Sequence, residues 1–280
     1  MISKENIVAI IVLFNPNQKV YENIKKYIGL VGQIVLVDNS SYNNKDIFKG
    51  IKNCKYIPLF DNKGIAYALN KGIKASTEAY VLTMDQDSSV SPSLIEAYID
   101  FLNTNDRRDI GALTCQYNTD RNPRHAKKGF ETIELSMQSG SLFKRNVFNK
   151  IGYFNEDLFL DVVDYEFFIR MKKAGIKLIR VNSAVLTHHP ATTRELKMGR
   201  FKFKYGVASP VRYYYQARNL LWTAKKYHSK KLYIILMIKW LKILLLFNNK
   251  SKYFDLYYQG ILDSKSNNMG KYNEKKNITS

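Results

Sequence analysis

Cysteine is scarce in this chain of 280 residues, and its scarcity argues against a disulfide-rich protein and a zinc-stabilised protein. The two cysteines, Cys54 and Cys115, lie far apart and lack the close spacing of metal ligands. We therefore expect neither a disulfide framework nor a structural zinc site, and a reducing cytosolic compartment fits. The N-terminus also lacks the basic, apolar and small-residue segments of a secretion signal, so we do not expect export.

Acidic residues are scarce in the last third of the chain. Residues 191–280 contain 19 Lys and Arg against 4 Asp and Glu, which accounts for +15 of the formal net charge of +20. Such an uneven charge predicts an anionic partner, which is nucleic acid, an acidic membrane surface or a phosphorylated substrate.

Apolar runs long enough to cross a membrane are also missing. The strongly apolar residues 232–247 are interrupted by Lys239 and Lys242. The run is shorter than the roughly 20 residues that a spanning helix needs. It favours a helix that lies in the membrane interface, with Lys and Trp at headgroup depth. A buried core or oligomer helix and a true span are the alternatives.

Strand and helix patterns alternate regularly in the first half of the chain and less regularly in the second half. Strands are predicted at residues 7–13, 34–37, 54–58, 80–84, 111–117, 133–141 and 177–181. Helices are predicted at residues 19–29, 45–51, 64–74, 91–102, 144–151 and 164–174. This alternation indicates an α/β fold, a mostly parallel sheet with helices on both faces, and ligands bind such sheets at the carboxyl ends of the strands.

Two carboxylates one residue apart follow the strand predicted at 80–84. In an extended strand end the side chains of Asp85 and Asp87 point the same way, so they are able to share one divalent cation, which would hold a diphosphate. The alternative is a solvated turn after a strand.

Polar residues follow two other predicted strands. Asp38 and Asn39 are placed to bind a nucleobase edge and a ribose, although such residues are also what turns prefer. Asn62 and Gly64 precede a helix whose free backbone N–H groups suit a phosphate, and Asn70 follows two turns later on the Asn62 side. A loop followed by an amphipathic helix is the structural alternative.

Acidic residues cluster again at 161–166. Asp161 ends an apolar run, and Asp164 stands at a helix start, where a carboxylate normally caps the helix. A loop that carries two carboxylates is also where a general base for a hydroxyl nucleophile would lie.

Histidine and arginine residues add further candidates. His188 or His189 is able to supply a third ligand to a cation held by the two aspartates. Arg212 and Arg218 lie on an aromatic-rich helix and are able to neutralise a leaving diphosphate.

Six motifs follow one another along the chain. They are VLFN at 12–15, VDNS at 37–40, N-x-GIA-x-ALN at 62–70, MDQDS at 84–88, FLDVVDYEFFIR at 159–170 and YYYQARN at 213–219. In this order they resemble the family 2 glycosyltransferases of the GT-A fold, and the bacterial rhamnosyltransferase branch in particular. The resemblance covers residues 7 to about 222 and, more weakly, the tail around residues 260–270.

The resemblance implies a binding site for a nucleotide-sugar donor. Asp85 and Asp87 would hold Mg²⁺ or Mn²⁺ against the diphosphate, with His188 as a further ligand. The other donor-binding residues would be Phe14, Asn15, Asp38, Asn39, Asn62, Gly64, Asn70, Arg212 and Arg218.

The resemblance also implies residues for the acceptor. The family's base stands six residues before an arginine, which gives Asp164 before Arg170, but Val163 replaces the acid that usually precedes the base and leaves Asp161 as a rival. We expect acceptor contacts from Ser139, Gly140 and Glu166.

These roles predict an inverting transfer of L-rhamnose from dTDP-rhamnose to a hydroxyl of a lipid-linked saccharide. The process would be surface polysaccharide synthesis, for a capsule or cell wall, at the inner face of the bacterial membrane. A UDP-sugar donor is one alternative, and a basic nucleic-acid-binding protein or a nonenzymatic membrane scaffold is an alternative from another class.

The same interpretation gives a domain organisation. We expect a transferase domain at 1–222, with a donor half at 1–105 and an acceptor half at 106–222. A basic membrane-associating region would follow at 223–268, and a disordered tail at 269–280.

Overall fold

Eight strands of the described chain form one mixed sheet. The computed structural model describes residues 1–106, 108–187, 192–198 and 201–273. The strands of the sheet are β1 (Ile7–Leu13), β2 (Gln33–Asp38), β3 (Cys54–Pro58), β4 (Tyr80–Asp85), β5 (Ile110–Asn118), β6 (Phe130–Ile133), β7 (Ser141–Lys144) and β8 (Lys177–Thr187). Their order is β3-β2-β1-β4-β7-β5-β8-β6. β7 and β6 run antiparallel to their neighbours, and the other neighbouring strands are parallel.

Helices connect these strands and flank the sheet. They are α1 (Gln18–Lys25), α2 (Ile65–Lys74), α3 (Pro92–Thr104), α4 (Arg145–Ile151) and α5 (Val163–Lys173). Ser91 caps α3 as the sequence predicts, because its hydroxyl accepts from the N–H of Leu94 (3.3 Å) and Pro92 occupies the first helical position.

The core of the sheet is packed on both faces. Every residue of β1 is buried, as expected for a central parallel strand that is covered on both sides. α2 packs closely against β1 at Gly72, where a Cβ atom would lie 2.4 Å from Ile10 Cγ2. Only glycine permits this approach.

The chain divides into two units by its internal contacts. The first comprises Met1–Phe154 and Phe167–Pro190, and the second comprises Asn155–Glu166 and Ala191–Ser280. The predicted domain boundaries at residues 105, 222 and 268 stay predictions.

The second unit consists mainly of helices. It contains the antiparallel hairpin of β9 (Thr193–Met198) and β10 (Phe201–Gly206), followed by α6 (Pro210–Tyr227), α7 (Lys230–Leu246) and α8 (Lys250–Lys265). α6 and α8 approach closely, since a Cβ atom at Gly260 would lie 2.4 Å from the carbonyl oxygen of Tyr214. Among the described helices, none is both long and apolar enough to cross a membrane.

Most predicted elements are confirmed, and two are corrected. The strand predicted at 133–141 is wrong, because β6 ends at Ile133 and β7 begins at Ser141. The polar groups of the segment between them bind neighbouring strands instead of pairing as a strand of the sheet. The helix predicted at 45–51 is a short 3-10 turn at Lys45–Phe48.

The predicted disordered tail also differs in part. The N–H of Gly270 donates to the carbonyl of Asp157 (2.7 Å), and the Tyr272 ring lies 4.3 Å from the Tyr214 ring. Gly270 and Tyr272 therefore contact other residues of the second unit, whereas residues 274–280 lie outside the described part of the chain.

Candidate active site

The polar strand ends of the first unit lie side by side. β1 lies between β2 and β4 and is parallel to both, with Leu13 opposite Asp38 and Val12 opposite Asp85. Neighbouring strands are about 5 Å apart, so Phe14, Asp38 and Asp85 share one carboxyl edge.

The carboxylate of Asp85 is held by the segment that precedes β7. Gln138 Nε2 donates to Asp85 Oδ1 (2.6 Å), and the backbone N–H of Asp85 donates to Ser139 Oγ (3.0 Å). Ser139 Oγ also lies 2.8 Å from Ser88 Oγ. Gln138 and Ser139 are buried, so these polar contacts fix the end of β4 without competition from water.

The loop after β4 is fixed from the opposite side. The Gln86 side chain exchanges two hydrogen bonds with the backbone of Phe14 (2.9 and 3.0 Å). Asn23 Nδ2 donates to the carbonyls of Gln86 and Ser88 (3.0 and 2.7 Å). The Asp87 side chain belongs to this hydrogen-bonded loop and is exposed to solvent.

The charges of Asp85 and Asp87 affect the pKa of the buried Tyr27 hydroxyl. Burial raises the pKa of Tyr27, and the nearby negative charges of Asp85 and Asp87 raise it further. Both carboxylates therefore lie within electrostatic reach of the buried Tyr27 hydroxyl.

This donor set fits a hard divalent cation. Mg²⁺ and Mn²⁺ prefer carboxylate oxygens, and Mg²⁺ commonly uses one or two protein carboxylates and takes its other ligands from phosphate and water. The described residues contain no group of three His, Cys, Asp or Glu able to hold a metal. The predicted roles of Asp85 and Asp87 as carboxylate ligands stay predictions. The predicted ligand His188 lies outside the described residues.

Asp38 is the centre of a buried hydrogen-bond network. Its carboxylate accepts from Ser40 Oγ (2.5 Å), Asn44 Nδ2 (2.8 Å) and the Tyr56 hydroxyl (2.5 Å). Burial and the hydrogen bond to Asp38 raise the pKa of Tyr56. The Ser40 hydroxyl in turn accepts from the N–H of Asn15 (2.8 Å), so Asp38 shapes the loop after β1 as well as its own.

Two asparagines shape the start of α2. Asn39 Nδ2 donates to Asn62 Oδ1 (3.0 Å), and Asn39 Oδ1 accepts from the N–H of Lys63 (2.8 Å). Gly64 has φ of +88° and donates its N–H to Asn62 Oδ1 (3.1 Å). The predicted donor-binding residues Asn39, Asn62 and Gly64 thus contact one another beside the Asp38 network.

Asn70 lies apart from this group. Its side chain is buried, donates to the carbonyl of Phe154 (2.9 Å) and accepts from the N–H of Phe154 (3.0 Å). These contacts join α2 to the loop after α4, and the predicted contact with the donor stays a prediction.

Ser139 and Gly140 are also buried. Gly140 has φ of +82°, donates its N–H to the carbonyl of Thr83 (2.8 Å) and accepts from the Tyr98 hydroxyl (2.6 Å). Ser139 supports Asp85 by accepting its backbone N–H. Their predicted contact with the acceptor stays a prediction.

The loop before α5, in the second unit, has an unusual backbone. Phe159, Asp161 and Val162 have φ of +60°, +59° and +66°, a region that is costly for residues other than glycine, above all for a β-branched one. Asn219 Nδ2 holds this loop by donating to the carbonyls of Leu158, Leu160 and Asp161 (2.8, 2.7 and 2.9 Å).

Asp161 and Arg212 form a bidentate ion pair. Arg212 Nη2 donates to Asp161 Oδ1 (2.6 Å), and Arg212 Nε donates to Asp161 Oδ2 (3.1 Å). Gln216 Nε2 adds a longer contact to Oδ1 (3.3 Å). Both carboxylate oxygens of Asp161 are therefore engaged.

Asp164 and Glu166 lie in the first turn of α5. Asp164 Oδ1 accepts from the N–H of Tyr165 (2.9 Å), and burial, with Asp164 and Asp161 nearby, raises the pKa of Tyr165 to about 12. Glu166 is buried and accepts from the Tyr227 hydroxyl (2.5 Å), and its predicted contact with the acceptor stays a prediction.

Arg218 is a buried residue of the second unit. It is 1% exposed and donates to the carbonyls of Gly270 (2.8 Å) and Leu158 (3.1 Å). These contacts connect α6 to two loops, and its predicted role at the donor diphosphate stays a prediction.

The family of the chain follows from comparison with known proteins. A family model described as "Glycosyl transferase family 2" matches residues 9–174, which include Asp38, Asp85, Asp87 and Asp164. The chain belongs to glycosyltransferase family 2.

Relatives of this glycosyltransferase differ in the sugar that their names state. The dTDP-rhamnosyl transferase RfbF of Shigella flexneri is 28% identical over 246 residues, 80% of this chain and 81% of that protein. The poly-beta-1,6-N-acetyl-D-glucosamine synthase of Staphylococcus epidermidis is 25% identical over 185 residues, 55% of this chain and 43% of that protein.

Solved structures confirm the GT-A fold of this glycosyltransferase. The mannosyltransferase PcManGT from Pyrobaculum calidifontis, in complex with GDP-Man and Mn²⁺, has a TM-score of 0.56 at 13% identity and covers 93% of this chain and 75% of its own. GalNAc-T7 with UDP, GalNAc and Mn²⁺ has a TM-score of 0.61 at 13% identity and covers 93% of this chain and 56% of its own.

Sequence reasoning missed several residues that shape the glycosyltransferase site. They are Asn23, Asn44, Tyr56 and Gln138. Each belongs to no motif, and Gln138 reaches Asp85 only after folding brings its segment beside β4. A buried amide next to a known motif aspartate is visible only in the structure.

Proposed function

We propose that this glycosyltransferase moves L-rhamnose from dTDP-L-rhamnose to a hydroxyl of a lipid-linked saccharide, with inversion at the anomeric carbon. The similarity to RfbF over most of both chains supports the donor. The observation that carries the proposal is the pair Asp85 and Asp87 at the strand edge that also holds Asp38.

The donor would bind along this edge. In the proposal Asp38, with the loop after β1, contacts the pyrimidine and ribose, and Asn62 and Gly64 line the nucleotide pocket. Asp85 and Asp87 would hold Mg²⁺ or Mn²⁺, which supplies charge stabilisation for the departing nucleoside diphosphate. Gln138 keeps the Asp85 carboxylate in its orientation.

Asp164 is the proposed general base. It would accept the proton of the acceptor hydroxyl as that oxygen attacks the anomeric carbon, and the bond to the diphosphate breaks in the same displacement. A single displacement inverts the anomeric centre without a covalent intermediate. Asp161 is the weaker candidate because Arg212 engages both of its oxygens.

A UDP-sugar donor is the second candidate. The similarity to the Staphylococcus epidermidis synthase, whose name states N-acetyl-D-glucosamine, supports it over a smaller part of the chain. Neither relative supports the nucleic-acid-binding alternative.

Donor hydrolysis by the purified protein tests the proposal. We expect dTDP-rhamnose to be hydrolysed faster than UDP-, GDP- or other dTDP-sugars in the presence of Mn²⁺ or Mg²⁺. Asp85→Ala should abolish turnover, whereas Asp100→Ala, which removes an exposed carboxylate elsewhere in the first unit, should leave it unchanged. If the protein hydrolyses a UDP-sugar faster, the proposed donor is wrong. If turnover survives Asp85→Ala, the proposed site is wrong.

We also propose that the protein binds the inner face of the cell membrane through α7. This helix exposes eight large apolar side chains: Tyr233, Ile234, Met237, Ile238, Trp240, Leu241, Leu244 and Leu245. Their spacing of about three to four residues forms one continuous stripe. The net charge of +15 in residues 191–280 suits an anionic bilayer as its partner.

The two lysines within this run contact other residues of the second unit. Lys239 Nζ lies 5.6 Å from the Tyr213 ring, and Lys242 Nζ lies 5.9 Å from the Tyr205 ring and donates to the carbonyl of Gly206. Both lysines contact the second unit itself, which leaves the exposed stripe uninterrupted by charge.

A further inference from the structure

The loop that follows β5 is strongly basic and has no role in the proposed donor site. Residues 119–129, here named the β5 loop, contain four Lys or Arg and one acidic residue, Asp120. Arg124, Lys127 and Lys128 are exposed, and within the described residues no carboxylate pairs with them. Arg121 has only a long contact with Asp120 Oδ1, at 3.9 Å.

The backbone of the β5 loop is anchored by hydrogen bonds. The N–H of Arg124 donates to Asn118 Oδ1 (3.1 Å), and the N–H of Lys127 donates to the carbonyl of Asn182 (3.0 Å). Gln116 Nε2 donates to the carbonyls of His125 (3.1 Å) and Asn182 (2.6 Å). The cations therefore project from a fixed scaffold.

The β5 loop lies at the same sheet edge as the metal-binding pair. Asn118, the last residue of β5, is paired with Thr187 of β8, and Thr187 also forms a bridge with Ser89, two residues after Asp87. The two adjacent pairings place the start of the loop about 10 Å from the chain that follows Asp87.

The strand order places the β5 loop away from the proposed nucleoside pocket. In the sheet the order is β2, β1, β4, β7, β5, so the polar ends of β2 and β1 lie on one side of Asp85 and the basic loop lies on the other. A divalent cation at Asp85 and Asp87 would already offset the charge of a donor diphosphate. The cations of the β5 loop are then available for a second anion.

From this arrangement we infer that the β5 loop binds a phosphate or diphosphate group carried by the acceptor. The inference rests on the proposed function and names the chemical class of the acceptor: a saccharide with a phosphate group close to the hydroxyl that attacks. Arg124 would donate two parallel hydrogen bonds to phosphate oxygens, and Lys127 and Lys128 would act as point charges.

Direct binding tests the inference without knowledge of the acceptor sugar. The probe is fluorescently labelled octyl diphosphate in EDTA, which removes any contribution from a metal at Asp85 and Asp87, with labelled octanol as the neutral comparison. The variant Arg124→Gln/Lys127→Gln/Lys128→Gln should bind the diphosphate at least about tenfold more weakly, since one lost charge-assisted hydrogen bond corresponds to about that factor.

A matched control has the same loss of charge at other exposed lysines of the first unit. Lys52→Gln/Lys71→Gln/Lys150→Gln should bind octyl diphosphate with unchanged affinity. Equal affinity of the β5-loop variant and the wild type overturns the inference, as does wild-type binding of octanol as tight as that of the diphosphate. The inference also fails if the β5-loop variant loses binding to duplex DNA or to anionic vesicles by the same factor, because the loop then recognises nucleic acid or membrane.

Transfer and hydrolysis then separate this inference from the proposed function. With pairs of octyl glycosides and octyl glycosyl diphosphates as acceptors, the wild type should favour the diphosphate member, and the β5-loop variant should lose that preference. Donor hydrolysis by water should be the same in both proteins. Absence of hydrolysis of any nucleotide sugar by the wild type would contradict the proposed function and leave the binding result standing.

Discussion

At the scale of single residues, the two candidate bases of this glycosyltransferase have different surroundings. Asp161 is 11% exposed at its side chain and bound in two places by Arg212, whereas Asp164 lies in the first turn of α5 and accepts from the N–H of Tyr165. A carboxylate with both oxygens occupied by a guanidinium is poorly placed to accept a proton. We therefore propose a positioning role for Asp161 and a chemical role for Asp164.

Asparagine substitutions separate these two roles. Asp164→Asn should lower kcat roughly 10²- to 10⁴-fold, the usual contribution of a general base, with an unchanged thermal midpoint and unchanged donor binding. Asp161→Asn should lower the free energy of unfolding by about 1 kcal/mol, a small value because the Arg212 side chain is partly exposed to solvent. Steady-state kinetics and thermal unfolding of both variants check this. Wild-type transfer by Asp164→Asn together with loss of transfer by Asp161→Asn would reverse the assignment.

Gln138 provides a second prediction for single residues. Because its amide donates to Asp85 Oδ1, Gln138→Leu should weaken Mn²⁺ binding roughly 10- to 100-fold, the usual cost of losing a partner that orients a metal ligand. Gln116→Leu is the matched control, since Gln116 is also a buried glutamine of the first unit but binds backbone carbonyls. Mn²⁺ titration followed by electron paramagnetic resonance measures both affinities. Equal losses in the two variants would mean that Gln138 acts only through stability.

At the scale of elements, the strands of the donor edge could be predicted, and the segment that supports them could not. β1, β2 and β4 are runs of β-branched and apolar residues that end in polar ones, and parallel pairing then requires Asp38 and Asp85 to share an edge. Residues 133–141 resemble a strand by composition. However, Ser136 Oγ lies 2.7 Å from Thr114 Oγ1, and the carbonyl of Gln138 accepts from Thr83 Oγ1 (2.6 Å), so the segment is used to support β4 and β5.

The exposed apolar stripe of α7 predicts that this helix is the part of the protein that contacts a membrane. Met237 and Leu245 are 56% and 70% exposed, a large apolar area for a helix in water. Ile238→Glu/Leu245→Glu should reduce sedimentation with anionic vesicles at least about tenfold, because charge on the inserted face opposes burial in the interface. Ile28→Glu/Thr77→Glu adds the same charge at exposed positions of the first unit and should leave sedimentation unchanged. Equal sedimentation of all three proteins would exclude α7 as the membrane contact.

At the scale of the whole molecule, the family and the α/β architecture could be predicted, because they depend on local patterns and on motif order. The contacts of long side chains could not be predicted from the sequence. Lys239 and Lys242 lie near the rings of Tyr213 and Tyr205, and their place in an apolar run does not predict these contacts. Each of these contacts joins residues far apart along the chain, and no local period encodes it.

The chain contains 20 tyrosines, and burial of many of them predicts how stability depends on pH. Burial raises the pKa of Tyr165 to about 12, that of Cys54 to about 11 and that of Cys115 to about 12, and it also raises the pKa of Tyr27 and Tyr98. The unfolded chain releases these protons first as the pH rises past 9 to 10, so the native state then binds more protons and loses stability with rising pH.

Each such group should lower the free energy of unfolding by up to about 1.4 kcal/mol per pH unit between its unfolded and folded pKa. We therefore expect these groups to leave stability unchanged below about pH 8 and to lower it steeply above pH 10, where the losses from several groups add up to the whole stability of a typical domain. Urea unfolding at intervals from pH 7 to 11, together with tyrosinate absorbance, measures both effects. If the absorbance shows most tyrosines ionising near pH 10 before any loss of structure, these side chains are accessible to water and the burial described here is wrong.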